Sequence, residues 1–151
     1  MKTIIVIGGS KGIGNAILTK LISTSKVINI SRTVPEVHHA NLTHYTCDIQ
    51  QDNLPNIDHA DSLIYCPGSI NLKPFPRLNI DDFKNDFEIN VLGAVKCIQH
   101  YLPILKNGKS PSILLFSTVA AKLGMPFHAS IARRTVWITG SLNTYLLSLR
   151  G

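Results

Sequence analysis

The chain has 151 residues, 44% of them apolar, and 15 Lys/Arg against 9 Asp/Glu for a net charge of +6. That size and apolar share suit one compact domain over residues 1–151. They exclude a membrane helix, which needs ~20 apolar residues in a row, a secretory signal in the short glycine-rich opening MKTIIVIGGS, and, with only Cys47, Cys66 and Cys97, a disulfide framework or a structural zinc site.

Apolar runs alternate with helical patterns along the chain. Thr3–Ile7 (TIIVI) is short, continuous and β-branched, as expected of a strand buried on both faces. Ile13, Ile17, Leu18 and Leu21 then form a helical stripe. Lys26–Ile30 (KVINI) predicts a second strand, His44–Cys47 a weaker third, and Ser62–Cys66 a fourth that Pro67-Gly68 stops. Pro67–Asn79 is a long loop with three prolines. Ile80–His100 predicts one long helix, with Asp81 and Asp82 in the turn where its dipole favours anions. Its buried stripe is Phe83, Phe87, Val91, Leu92, Val95 and Ile98. Ser112–Ser117 (SILLFS) predicts the fifth strand. Strands separated by helices predict βαβ units and a parallel sheet with helices on both faces.

Charge is uneven along this order. Residues 1–88 hold eight Lys/Arg and nine Asp/Glu, whereas residues 89–151 hold seven Lys/Arg and no acid. The basic residues are dispersed, without interleaved aromatics, so no specific nucleic-acid partner is expected and a pocket for a phosphorylated ligand is. No membrane partner is expected either, and a reducing cytoplasm is the expected location.

The first strand ends in Gly8-Gly9-Ser10-Lys11-Gly12-Ile13-Gly14. Such a turn lets backbone approach a pyrophosphate while the next helix aims its N–H groups at the charge. The spacing G-x-x-x-G-x-G resembles the short-chain dehydrogenase/reductase family. Four further stretches extend the resemblance in consistent order. Asp48-Ile49 follows the third strand, where the family places an Asp near the adenine. Gly68 is the retained glycine of Cys66-Pro67-Gly68, where the family has Asn-Ala-Gly. Asn90 lies in FEINVLGA, like the helix with the active-site asparagine, and FSTVAAKLGMP is similar to the strand and loop with the catalytic serine. The resemblance implies an α/β, Rossmann-like doubly wound parallel sheet of about five strands, order 3-2-1-4-5. It also implies an oxidoreductase using a nicotinamide dinucleotide on a carbonyl or alcohol.

The second strand ends Asn29-Ile30-Ser31-Arg32 with no acid to hold a ribose 2′-hydroxyl. Ser31, Arg32 and Lys11 instead favour a 2′-phosphate, through charge-assisted bonds, so NADP is expected over NAD. The expected cofactor-binding set is Gly8, Ser10, Lys11, Gly12, Ile13, Gly14, Ser31, Arg32, Asp48, Ile49, Gly68 and Asn90. No metal site is expected.

The resembling enzymes polarise a substrate oxygen with Ser and Tyr hydroxyls, lower the Tyr pKa with a Lys, and use an Asn-held water as a proton relay. Carried over by position, the asparagine is Asn90 and the serine falls on Thr118. The tyrosine falls on Ile131 and the lysine on Thr135, and neither can do the chemistry. His128 and Ser130 lie within a turn of Ile131, with His128 read as a surface or capping residue. His38, His39, His44, His59 and His100 read as structural or solvated. The expectation is a dinucleotide-binding domain with turnover lost or reduced; a non-catalytic nucleotide sensor or a truncated product are the other readings.

The resemblance stops within a few residues of Ala132, whereas the resembling enzymes continue. Residues 131–149 predict an atypical helix striped by Ile131, Ile138, Leu142, Tyr145 and Leu149. A reading-frame change in a longer gene, or a short form whose last helix serves self-association, both account for this tail. The fifth strand is then expected at a sheet edge.

Overall fold

A computed structural model describes residues 1–69, 71–108 and 111–116 of the chain. In chain order the elements are β1 (Thr3–Ile7), α1 (Gly12–Leu21), β2 (Lys26–Ser31), β3 (Leu42–Thr46), β4 (Ser62–Tyr65), a 3-10 turn (Phe75–Arg77), α2 (Ile80–Phe87), a π turn (Glu88–Leu92), α3 (Gly93–Lys106) and β5 (Ser112–Leu115). The five strands form one sheet in the order β3-β2-β1-β4-β5. Every pairing is parallel, from Ile4↔Val27 and Ile4↔Ser62 at the centre to Val27↔Leu42 and Ser62↔Ser112 outside. The predicted fold class and strand order are both present.

Central strands and outer strands differ as their sequences do. Ile4 to Ile7 of β1 and all four residues of β4 are buried, the condition that favours continuous apolar runs. The outer strand β3 alternates weakly and is mostly exposed. It starts two residues earlier than its sequence indicates, at Leu42, because its register on β2 begins at Val27↔Leu42. At the other side β5 leaves Leu114 48% exposed, with Phe116 beyond it at 42%.

One face of the sheet packs on α1. Ile4, Val6, Val27 and Ile64 meet Leu18 and Ile22, with Ile17, Leu21, Val37 and Leu42 closing around them. Each such side chain removed from water contributes about 1.5–3 kcal/mol. Ile13 does not join this stripe and is 64% exposed on the first turn of α1. Gly12 and Gly14 on either side of it lie in the first turn of α1, and Gly14 packs against Gly8 O, so that turn meets the loop and not the core.

The helix expected over 80–100 is divided. Between α2 and α3 the chain makes a π turn, which departs locally from the 3.6-residue repeat. The buried face changes accordingly. Asp86, Asn90 and Val91 are buried, while Phe87 and Leu92, both expected inside, are each 39% exposed.

The described residues fall into two compact units: Met1–Pro67 with Gly93–Phe116, which holds the sheet, α1 and α3, and Gly68–Leu92, which holds the 3-10 turn, α2 and the π turn. In the first unit α3 fastens the connection before β4. Lys96 Nζ donates to the carbonyls of Ile49 and Asp52, both at 2.8 Å, and Tyr101 Oη donates to Pro55 O at 2.9 Å. No helix among the described residues is long and apolar enough to cross a membrane.

Candidate functional site

The order β3-β2-β1-β4-β5 reverses direction between β1 and β4, and open α/β sheets take ligands beyond the strand ends at that point. Here the ends are Gly8 after β1 and Pro67 after β4. They touch closely: a Cβ on Gly8 would lie 3.1 Å from the Pro67 ring. Gly8 N–H donates to Ile30 O at 2.8 Å, fixing the loop to β2. Gly8 has φ +76° and Gly12 φ +55°, a left-handed conformation that costs other residues roughly 1–2 kcal/mol. Gly14 is required for space, because its Cβ would stand 2.2 Å from Gly8 O. The loop is therefore folded directly against the first turn of α1.

That helix begins at an N-cap, Lys11, whose side chain caps nothing. The first N–H groups of a helix have no intrahelical partner and carry the positive end of the dipole. Together with glycines that leave backbone bare, they are donors suited to a pyrophosphate. Lys11 and Arg32 are exposed, and among the described residues neither joins an ion pair. Ser10 Oγ accepts from Thr33 Oγ1 at 2.8 Å.

Two expected contacts are already committed within the protein. Ser31 is 7% exposed, and its hydroxyl accepts from Asn29 Nδ2 (3.0 Å) and donates to Thr33 O (2.9 Å). Asp48 Oδ1 accepts from Gln50 N–H at 3.0 Å, closing its own turn. Ile49 is buried beside it. All three lie, with the loop, in the sheet-containing unit.

Gly68 and Asn90 belong to the other unit. Gly68 is exposed, and Asn90 is 3% exposed inside the π turn. The Asn90 amide braces Ser69 from both ends. Its Oδ1 accepts from Ser69 N–H (2.9 Å), and its Nδ2 donates to Ser69 Oγ (2.9 Å) and Ser69 O (3.5 Å). Ser69 Oγ in turn donates to Asp86 Oδ1. Asp86 is 2% exposed and its Oδ2 has no partner among the described residues.

The sequence profile of the family described as "short chain dehydrogenase" matches residues 2–130. The chain belongs to the short-chain dehydrogenase family. It is 26% identical over 145 residues to a 2,5-dichloro-2,5-cyclohexadiene-1,4-diol dehydrogenase of Sphingobium indicum, covering 84% of this chain and 58% of that one. The fold is similar to the aldohexose dehydrogenase of Thermoplasma acidophilum in ligand-free form, with a TM-score of 0.83, 22% identity and coverage of 97% and 61%. It is equally similar to a short chain dehydrogenase family protein of Francisella tularensis, with a TM-score of 0.83, 24% identity and coverage of 99% and 64%. The chain thus spans under two thirds of the length of these relatives.

Within the family's pattern, Thr118, Ile131 and Thr135, with His128 and Ser130, lie outside the described residues. Three polar residues were not singled out from the sequence: Asn29, Ser69 and Asp86. Asn29 sits in an apolar run where buried amides are uncommon, and Asp86 precedes a phenylalanine expected to face inward. For Asn29 and Asp86 that mismatch of polarity with position is the signal the sequence carries; Ser69, in a loop, carries none.

The thiols are insulated. Burial pushes Cys66, at the end of β4, up to about 11, and Cys97 up to about 12. Cys47 is also raised, first by burial and then by Asp52. Thiols held protonated are poor nucleophiles. Among the described residues no group of three or more His, Cys, Asp or Glu side chains is placed to hold a metal.

Proposed function

We propose that this chain is the dinucleotide-binding part of an oxidoreductase that prefers NADP(H) and acts on a carbonyl or alcohol. The observation that carries the preference is the end of β2: no acid follows it, and Arg32 and Lys11 are exposed and unpaired among the described residues. An acid there would bond a ribose 2′-hydroxyl and repel a 2′-phosphate. Two cations attract the phosphate instead.

The residues fit the group. Gly8 and Gly14 leave a bare backbone cradle, and the N–H groups that start α1, uncapped by Lys11, are available to the pyrophosphate. Ser10, Gly12 and Ile13 complete that turn, with Ile13 exposed where it can meet a ligand. When bound, a nicotinamide dinucleotide supplies hydride transfer. Asp48 and Ile49 serve the adenine end in this reading. Ser31 acts indirectly, since its hydroxyl is spent on Thr33 and Asn29.

Asn90 and Thr118 are the residues assigned to proton handling, with Gly68 shaping the loop before Ser69. Asn90 keeps its side chain for Ser69, so its contribution is to fix that loop. Ile131 and Thr135 occupy the positions where the resembling enzymes have Tyr and Lys. Neither has a group that exchanges a proton near neutral pH, and on that ground turnover by this chain is absent or much reduced. The same observation favours a second reading, a non-catalytic dinucleotide-binding module. Three free thiols support a reducing cytoplasm as the location.

Titration of the purified chain with NADPH and NADH tests the reading. NADPH is expected to bind about tenfold tighter or more, the scale of a charge-assisted contact. Equal or tighter NADH binding refutes the preference, and steady turnover of simple carbonyls refutes the loss of activity.

A further inference from the structure

The phosphate loop rests on a side chain that the proposal above does not use. Asn29 is 0% exposed in the middle of β2. Gly9 N–H donates to its Oδ1 at 2.9 Å. Its Nδ2 meets Ser31 Oγ at 3.0 Å and His44 Nδ1 at 3.0 Å. A backbone N–H can only donate, so the atom facing Gly9 is the amide oxygen, and the amide nitrogen on the other side offers hydrogens alone. Ser31 accepts one and passes its own proton to Thr33 O. His44 Nδ1 must accept the other. This pattern is met by the tautomer with its proton on Nε2, which faces Thr46 Oγ1 at 3.2 Å.

The contact has no slack. A Cβ on Gly9 would lie 2.5 Å from Asn29 Oδ1. If Nδ1 of His44 gains a proton, two N–H donors face each other across a part-buried 3.0 Å contact. Turning the Asn29 amide over relieves that clash only by setting its NH2 against Gly9 N–H. Either way one hydrogen bond is lost, and Gly9 loses its anchor or Asn29 its second one.

We propose that His44, acting through Asn29, is a positioning residue for the phosphate loop, so that dinucleotide affinity depends on His44 being neutral. This rests on the dinucleotide reading above. His44 lines a surface cavity of about 500 Å3 together with His38, His39, Val34 and Leu42. The titratable residues that share this cavity with His44 are His38 and His39, from the connection between β2 and β3. From β2 it meets the Asn29 amide, and α1 packs on the same sheet face through the apolar Leu18 and Ile22.

The experiment measures NADPH affinity from about pH 8 to about pH 5.5, the range in which histidine changes charge. Three variants are compared with the unmodified chain. In His44→Gln an amide oxygen can accept permanently. His44→Lys can only donate. In Asn29→Asp a carboxylate accepts from Gly9 and attracts a protonated His44. Acidification is expected to weaken the unmodified chain up to about tenfold more than His44→Gln, the worth of one such bond. His44→Lys is weak at both ends of the range, and Asn29→Asp reverses the sign of the pH dependence. Replacing His38 and His39 together by Asn leaves the dependence in place. Parallel profiles for the unmodified chain and His44→Gln overturn the proposal.

Hydrogen exchange at Gly9 N–H, read on the unliganded chain, separates the two readings. Protection of that amide, taken relative to its intrinsic exchange rate at each pH, that acid removes in the unmodified chain but not in His44→Gln supports the coupling, even if no dinucleotide binds and the functional reading falls. Equal exchange in both overturns it.

Discussion

The phosphate loop and the Ser69–Asn90 network are built from opposite materials. In the loop, side chains are absent where they matter: Gly8 and Gly12 turn left-handed and Gly14 packs against Gly8 O. Around Asn90 the side chains do the holding, through an amide, a hydroxyl and a buried carboxylate. A site made of bare backbone fails when anything is added. A site made of side-chain bonds fails when one partner is taken away.

The largest effect is expected from adding a methyl group to the loop. Gly14→Ala places a Cβ 2.2 Å from a backbone oxygen, and overpacking of this kind costs about 1–3 kcal/mol with displacement of the loop. Gly12→Ala meets nothing within 4 Å, so it carries only the left-handed strain of roughly 1–2 kcal/mol and keeps more of the dinucleotide affinity. Urea midpoints and NADPH titrations of both variants measure the contrast. Equal binding losses would show that conformation, not space, limits the loop.

A middle-sized effect is expected from subtraction. Ser69→Ala removes the donor to Asp86 Oδ1, leaving a buried carboxyl whose Oδ2 already has no partner. An unsatisfied buried group of this kind costs about 1–3 kcal/mol. Adding Asp86→Leu to Ser69→Ala is expected to recover only the part of that loss due to the carboxyl, because Asn90 Nδ2 still lacks the Ser69 Oγ acceptor. A double-mutant cycle on urea midpoints reads the coupling. Additive losses would show that the two side chains act separately.

The smallest effect concerns the loop before α2, where Asp82 accepts from Lys73 Nζ (2.8 Å), Asn71 Nδ2 (3.0 Å) and Asn79 N–H (3.1 Å). The Lys73 hydrogen bond, and then that from Asn79, hold its carboxyl below the usual range. A depressed carboxyl contributes stability above its unfolded pKa of about 3.9 and loses it as pH falls through the lower folded value. Melting curves of the unmodified chain and Asp82→Asn should therefore merge in strong acid and separate slightly above about pH 4. Separation in the opposite direction would refute the assignment.

The same contrast governs what the sequence makes visible. Glycine spacing after a β-branched run is a local signal, and β1, the loop and α1 are all readable from it. The sheet order follows from alternation plus the family resemblance, and β4 and β5 start at the predicted Ser62 and Ser112. Less is readable where partners are distant. The register of β3 depends on β2, and the burial of Asp86 depends on Ser69, seventeen residues away. From the sequence alone Asn29 is a strand residue without a role. Its meaning depends on Gly9 and His44, which only the folded sheet brings to it.

The π turn carries a consequence for anyone redesigning the chain. Drawn as ideal helix, residues 80–106 would look more regular, with Phe87 and Leu92 returned to an apolar stripe. That idealisation assigns Asp86 and Asn90 a different face and takes away the amide that braces Ser69. Repair of an apparent irregularity would thus erase a working part, and a restraint at Glu88–Leu92 belongs in any stabilised version.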